Sequence, residues 1–411
     1  MRERPPLPPG PYLVVGLARS GIAAARLLAA HGEVIGVDSG RPEVDGFEAH
    51  LGTDGLDLLE RTATVVKSPG VPQEAPVIQA ARSRGIPVMG ELEIAWRLLE
   101  PNPFVAVTGT NGKTTTTELL GALWPGAVTA GNVGTPLASL VGTVDPAATI
   151  VCECSSFQLE DAVEFAPECA VLLNVEEDHL DRHGTFEAYR EAKLRVFANQ
   201  APDDLAVLPA GFGPVPGSAR RVAYEDYEPF VAAAGLRLRG AHNRQNATAA
   251  AAAALEMGVD PEAVRQGLRD FPGVPHRLEE VATRGGVLYV NDSKATNVAS
   301  ATVGIEAFPH GVHAILGGSL KGGGFTGLRS ALTERATAAY LIGEATDRLI
   351  ADLDGTVPLH RSGDLETAVA AARAAAQPGD VVLLSPATAS YDQYRNYEER
   401  GDHFRRLAGE E

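Results

Sequence analysis

Short apolar runs, rich in Val, Ile and Leu, alternate with Ala- and Leu-rich segments along the whole chain. "YLVVGL", "EVIGVD" and "ATVVKSPG" open the series, "FVAVTG", "ATIVCECSS", "CAVLLNV" and "LAVLP" continue it, and "VLYVND", "HAILGG", "AAYLIG" and "VVLLSP" close it. Strand–helix alternation of this kind predicts parallel sheets with helices packed on both faces. The "PNP" break at 101–103 and the two prolines of "FPGVPHR" divide the series into three α/β units, 1–99, 100–275 and 276–411. A length of 411 residues leaves room for two or three domains.

Ligands of open α/β sheets bind beyond the carboxyl ends of the strands. The polar clusters "TGTNGKT", "ECSS", "NVEEDHLDRH", "NDSKATN", "GGSLK" and "SPATAS" each directly follow an expected strand. Three units with converging strand ends would form a site between domains. The formal net charge of -18 argues against a nucleic-acid partner, which selects for a basic face. It leaves phosphate ligands open, since one lysine and a helix N-terminus suffice for those. Cys152, Cys154 and Cys169 make no disulfide framework and are expected to be buried, reduced thiols. No run reaches ~18 apolar residues and "MRERPPLPPGPY" lacks a signal core, so a cytoplasmic protein without a membrane segment is expected.

In "FVAVTGTNGKTTTTELL" (104–120), Gly112, Lys113 and Thr114 fit the second half of a P-loop, but Val107 stands where its first glycine belongs. Backbone N–H groups of the loop and the following helix suit a polyphosphate. Lys113 can offset phosphate charge and the Thr114 hydroxyl can ligate Mg²⁺. "VVGLARSG" is close to a dinucleotide fingerprint, yet Ala18 replaces the second glycine and would crowd a pyrophosphate. A nucleotide diphosphate beside Arg19 and Ser20 suits it better. In "NVEEDHLDRHGTFEAYREAKLRVF", His179 could join Glu153 around Mg²⁺; a solvated charged loop is the other reading, and Lys193 alone reads as a surface lysine. "YVNDSKATN" offers Asp292 for a ribose and Lys294 for an oxyanion, or simply a helix cap. "HNRQN" (242–246) opens a helix with Asn243 and Asn246, which could cap it or contact a nucleotide.

Together these segments resemble the Mur ligase family over nearly the whole chain. "TGTNGKT" is similar to that family's ATP loop. "GNVG", "CECSSFQLE", "DHLDRH" and "YREAKLRVF" resemble its central domain, and "GVPHR", "NDSKATN" and "SPATASYDQYRNYEERG" its C-terminal domain. The resemblance implies three domains: an N-terminal Rossmann-like domain, a central P-loop-like ATPase with a parallel sheet, and a C-terminal Rossmann-like domain. It implies an ATP-dependent ligase of peptidoglycan precursor synthesis that adds D-glutamate to UDP-N-acetylmuramoyl-L-alanine through an acyl phosphate. A sibling ligase adding a different amino acid is the alternative. Val107 counts against a P-loop kinase or GTPase and Ala18 against a dehydrogenase. A monomer is expected.

The resemblance also assigns residues. ATP falls to Gly109, Thr110, Asn111, Gly112, Lys113, Thr114 and Thr115, with Asn243, Asn246, Arg277 and Asp292. The UDP-sugar falls to Arg19, Ser20, Ser39, Gly70 and Asn132, and D-glutamate to Thr296, Lys321, Ser390 and Tyr397. Catalytic roles fall to Lys113, His179, Lys193 and Lys294. Two Mg²⁺ ions would use Thr114, Glu153, His179 and Lys193, the last as a carbamate formed with CO₂. A lysine among cations has a lowered pKa, and only the neutral amine reacts with CO₂. Two departures from the family pattern are Tyr397, where Phe is common, and "GGSLK" in place of "GGDGK".

Overall fold

Each quoted apolar run becomes a strand in the computed structural model, which describes residues 3–238, 240–320 and 323–409. The first sheet contains β1 (Tyr12–Val15), β2 (Val34–Asp38), β3 (Glu48–Leu51), β4 (Thr64–Lys67) and β5 (Val88–Gly90), in the order β3-β2-β1-β4-β5 and all parallel. The second contains β6 (Phe104–Thr108), β7 (Val128–Gly131), β8 (Ile150–Glu153), β9 (Cys169–Leu172), β10 (Leu205–Leu208) and β11 (Arg220–Ala223), ordered β11-β10-β9-β6-β8-β7 and again parallel. The third contains β12 (Glu279–Arg284), β13 (Val287–Asn291), β14 (Val312–Gly317), β15 (Ala336–Ile342), β16 (Leu359–Gly363) and β17 (Val381–Leu384). Its order is β12-β13-β17-β14-β15-β16, with only β12 antiparallel.

Alternate residues of a strand face opposite sides, and here both sides are covered. Leu13, Val15 and Ile35 enter one core while Tyr12, Val14 and Val34 enter another. In the third sheet Ala314 and Leu316 oppose Ile315 in the same way. Burial on both faces explains why these strands read as unbroken apolar runs.

The chain folds as two compact units. One comprises the chain up to Arg237 together with His242–Phe271; the other comprises Leu238–Ala241 and the chain from Pro272 onward. The first two sheets therefore share a unit, and the helix Glu91–Leu98 shows why. It follows β5, yet Leu92, Ala95 and Trp96 enter the core of the second sheet with Phe104 and Phe165. Trp96 and Phe104 both meet the Phe165 ring edge-on, with centroids 5.5 Å apart. Arg4, from the proline-rich N-terminal stretch, lies over the Trp96 ring at 5.1 Å and donates to Trp96 O and Asn102 O.

A buried charge pair adds to this junction. Lys67, the last residue of β4, lies 2.8 Å from Asp161 Oδ2, and both side chains are fully buried. The contact is ionic more than hydrogen-bonded, because the ammonium donates to Val71 O at 2.9 Å. Removing one partner of such a pair leaves an uncompensated interior charge. Lys67→Met should therefore destabilise the protein by about 3–5 kcal/mol in urea unfolding. The double variant Lys67→Met/Asp161→Leu should recover most of that loss, and equal losses in the two would show that the pair is not coupled.

Candidate functional site

The β6 strand ends at Thr108, and the glycine loop leads into the helix Lys113–Leu123. Gly112 is the N-cap, at φ +85°, and no side chain caps the helix. An uncapped helix start of this kind suits an anion. A Cβ at Gly112 would overlap Asn246 Oδ1, so glycine is what lets the helix Ala241–Glu256 bring Asn246 against the loop. Asn243 and Asn246 are both buried there. From the end of β9, Asn174 Oδ1 accepts the Asn111 N–H at 2.9 Å and Glu176 Oε2 accepts from Asn111 Nδ2 at 3.1 Å. Thr110 Oγ1 lies 3.0 Å from the Tyr189 hydroxyl. Thr114 and Thr115 are buried, and among the described residues Thr115 Oγ1 has no hydrogen-bond partner.

Two lysines meet at one acceptor. Lys113 Nζ donates to Gly109 O and Thr110 O at 2.9 Å, and Lys193 Nζ donates to Gly109 O at 2.7 Å. Lys193 is carried by the helix Phe186–Leu194, is 1% exposed, and sits 4.5 Å from the Tyr189 ring centre. It is not a surface lysine. Burial pushes its pKa down to about 7, with the Lys113 charge as the second cause. The sequence argument that neighbouring cations lower this pKa is thus corrected in its weighting: desolvation leads.

Glu153 ends β8 in register with Val107 of β6 and is buried, with Oε1 accepting from Asn132 Nδ2 at 3.0 Å. Asn132 thereby belongs with Glu153. Arg19 joins the same segment by donating to Gly134 O. His179 sits at φ +52° with an exposed side chain, 3.5 Å from Asp178 and packed on the Phe157 ring at 4.8 Å. Among the described residues, no three His, Cys, Asp or Glu side chains form a ready-made metal site. Arg182, one turn further on, is ion-paired to Glu160, and His183 Nδ1 lies 3.1 Å from Glu160 Oε1, with burial lowering the imidazole pKa. All three cysteines are free and buried.

Beyond the ends of β1, β2 and β4 lies a cavity of about 400 Å³. Ser20, Ser39 and Gly70 line it together with Ser68 and Thr53, whereas Arg19 does not. The cavity opens where strand order reverses, between β1 and β4. Asp38 shapes its rim by accepting from Leu17 N and Gly40 N, each at 2.7 Å.

In the second unit, Asp292 follows β13 and is buried. It accepts from Ser385 Oγ at 2.7 Å and Leu278 N at 3.2 Å, and burial pushes its pKa up to about 7. The Arg277 charge acts on it in the opposite sense. Lys294 Nζ lies 5.9 Å from the Tyr397 ring centre. Thr296 shares the Lys294 loop through its N–H to Lys294 O, and Ser390 is buried at the start of a turn closed by Gln393 and Tyr394. Lys321 lies outside the described residues. Strand-end position does not single out Tyr189 or Arg400, which lie on helices away from any strand end, nor Arg182 within the "DHLDRH" cluster that follows β9.

Three family models match the chain in order. They are a MurD-like Mur ligase N-terminal domain over 11–90, a Mur ligase middle domain over 107–212, and a Mur ligase glutamate ligase domain over 276–388. The UDP-N-acetylmuramoylalanine–D-glutamate ligase of Anaeromyxobacter dehalogenans is 47% identical, covering 97% of both chains. The protein of the same name from Acidobacterium capsulatum is 42% identical over 96% of this chain and 95% of its own. Among solved structures, MurF ligase from Thermotoga maritima in complex with ADP is similar with a TM-score of 0.59 at 19% identity, covering 92% of this chain and 95% of that one. UDP-N-acetylmuramate-alanine ligase from the same organism gives 0.57 at 18% identity, covering 97% and 99%.

The buried Lys193 makes stability depend on pH. With a folded pKa of about 7, the unfolded chain holds a proton between about pH 7 and 10 that the folded chain lacks. Stability from this group therefore rises with pH across that window, and the full burial penalty applies below it. Urea midpoints measured at intervals from about pH 7 to 9 in CO₂-free buffer should rise more steeply for the wild type than for Lys193→Met. Parallel slopes would refute the depressed pKa.

Proposed function

The chain belongs to the Mur ligase family, and from that premise we infer that it joins D-glutamate to UDP-N-acetylmuramoyl-L-alanine with hydrolysis of ATP to ADP and phosphate. The observation that carries the site assignment is the meeting of Lys113 and Lys193 at Gly109 O, beneath an uncapped helix N-terminus. ATP phosphates take the loop from Gly109 to Thr115, where the Lys113 ammonium exchanges its two carbonyl acceptors for phosphate oxygens. The uridine nucleotide takes the cavity lined by Ser20, Ser39 and Gly70, with Arg19, which donates to Gly134 O, and Asn132 assigned to the same substrate.

A carboxylate is a poor electrophile, so the reaction activates it. A carboxylate oxygen of the UDP-sugar substrate bonds to the γ-phosphorus as the bond to the β-phosphate oxygen breaks, giving an acyl phosphate and ADP. The D-glutamate amine then attacks the acyl carbon, loses a proton, and phosphate departs with its C–O electron pair. Thr114, Glu153, His179 and a carbamate on Lys193 are the residues that would hold Mg²⁺, which when bound offsets the charge of phosphate approaching carboxylate. Thr114 and Glu153 are buried next to the loop and suit a hard cation. The near-neutral pKa of Lys193 supplies the free amine that a carbamate needs: its lone pair attacks CO₂ and the nitrogen loses a proton. In the second unit, Arg277 and Asp292 serve ATP, Lys294 the phosphates, and Thr296, Lys321, Ser390 and Tyr397 the amino acid.

Phosphate release from ATP should require both UDP-N-acetylmuramoyl-L-alanine and D-glutamate. Release without amino-acid dependence, or with L-lysine in place of D-glutamate, would overturn the reading. Lys193→Ala should lose about 10²-fold or more in kcat, with partial rescue by short carboxylic acids. An active Lys193→Ala enzyme, or a wild type without a carbamate carbon signal after equilibration with ¹³C-bicarbonate, would remove the carbamate from the mechanism.

A further inference from the structure

Arg400 heads the fully buried side chains ranked by size among the described residues. It lies on the helix Tyr397–Gly409, whose Phe404 is buried one turn further along. Its guanidinium is spread over neutral acceptors only. Nε donates to Ser293 Oγ at 3.0 Å, and Nη2 donates to Ser293 O at 2.9 Å and Thr388 O at 3.1 Å. Nη1 reaches Ala389 O at 3.2 Å and Gly317 O at 3.5 Å. Among the described residues no carboxylate pairs with it at contact distance, and Asp392 acts on it only through its field.

A buried cation without a counter-ion is costly, so its surroundings must draw something from it. The acceptors sit at three strand ends: Gly317 closes β14, and Ser293 and the pair Thr388 and Ala389 lie on the loops following β13 and β17. The loop after β13 presents Lys294 and Thr296, and the loop after β17 presents Ser390. Close backbone approach adds to the clamp: a Cβ at Gly318 would overlap Ala389 O. Thr388 Oγ1 is buried beside it without a partner. The fork therefore sets the spacing of the loops assigned to the amino acid, and its charge is weakly screened there.

We propose that Arg400 is a positioning and specificity-determining residue. It clamps the three strand ends, and its unpaired positive charge favours an acidic amino acid over a neutral one of the same shape. The inference rests on the reading of D-glutamate as substrate. Its test is kcat/KM for D-glutamate against D-glutamine at saturating ATP and UDP-N-acetylmuramoyl-L-alanine, because the ratio does not depend on the fraction of enzyme folded. Arg400→Met should lower the ratio about tenfold. Arg400→Lys should hold it within about threefold while raising KM for both amino acids, since charge is kept and the fork is lost. Asp392→Asn, which removes the opposing acid, should lower KM for D-glutamate and leave D-glutamine unmoved. An unchanged ratio in Arg400→Met sinks the proposal; if that variant is insoluble, an Asp392→Asn enzyme with unaltered KM for D-glutamate does so. A wild type indifferent to D-glutamate would instead sink the functional reading itself.

Discussion

The carbonyl oxygen of Gly109 accepts from two lysine ammonium groups, and most of the geometry of the glycine loop follows from that contact. It fastens the loop after β6 to the helix Phe186–Leu194, while Asn174 and Glu176 fasten the same loop to the end of β9. The loop is thus held from both sides, and no side chain caps the helix Lys113–Leu123 that follows it. Two ammonium groups on one oxygen also repel each other. The more deeply buried one yields its proton more readily, which is the direction found for Lys193. A structural contact and a chemical property, a partly neutral amine at physiological pH, come from the same arrangement.

Backbone strain marks the same places. Among the described residues the non-glycine positions with positive φ are His179, His276, Leu278 and Ala387. All four lie within or beside the "DHLDRH", "GVPHR" and "SPATAS" segments. Each such residue costs on the order of 1–3 kcal/mol and persists only where its neighbours hold it. Those neighbours are visible: Glu279 Oε2 accepts the His276 N–H, Asp292 accepts the Leu278 N–H, and Ala295 O accepts the Ala387 N–H. Asp292 therefore anchors the Arg277 turn in addition to any contact with a nucleotide.

The sequence made interior strands legible and edge strands invisible. The unread strands are β3, β5, β7, β11, β12 and β16, and these are the two edges of each sheet. An interior parallel strand is buried on both faces and must be apolar throughout, whereas an edge strand is short or polar, as in "EAHL", "RRVA" and "LHRSG". The same logic divides the site. Groups at or after the ends of interior strands, such as Lys113, Glu153, His179 and Asp292, announce themselves by position. Lys193 and Arg400 sit on helices, where a cation ordinarily faces water. Only tertiary packing, or a family resemblance, distinguishes a 1% exposed lysine from a solvated one. The boundary between the first two sheets was marked by proline, but Trp96 and Phe165 pack across it, and no local signal encodes that contact.

A formal charge of -18 would seem ill suited to a protein whose ligands are anions. The count treats every carboxylate alike, and the interior does not. Glu91 and Asp292 are both pushed up to about 7 by burial, so near neutral pH they carry less negative charge than the count assigns. The cations that matter are treated differently. Arg400 keeps its charge while buried, because even its lowered pKa of about 10 lies well above neutrality. Lys113 is half-buried and aimed into the loop. Charges inside act through a lower effective dielectric than those on the surface, so a few of them outweigh many solvated carboxylates at the strand ends. Net charge bears on an extended basic face, which is a property of the surface. On the proposed reading, anion recognition in this fold is set by the interior, where lysine ammonium groups and the start of the helix Lys113–Leu123 decide the local sign.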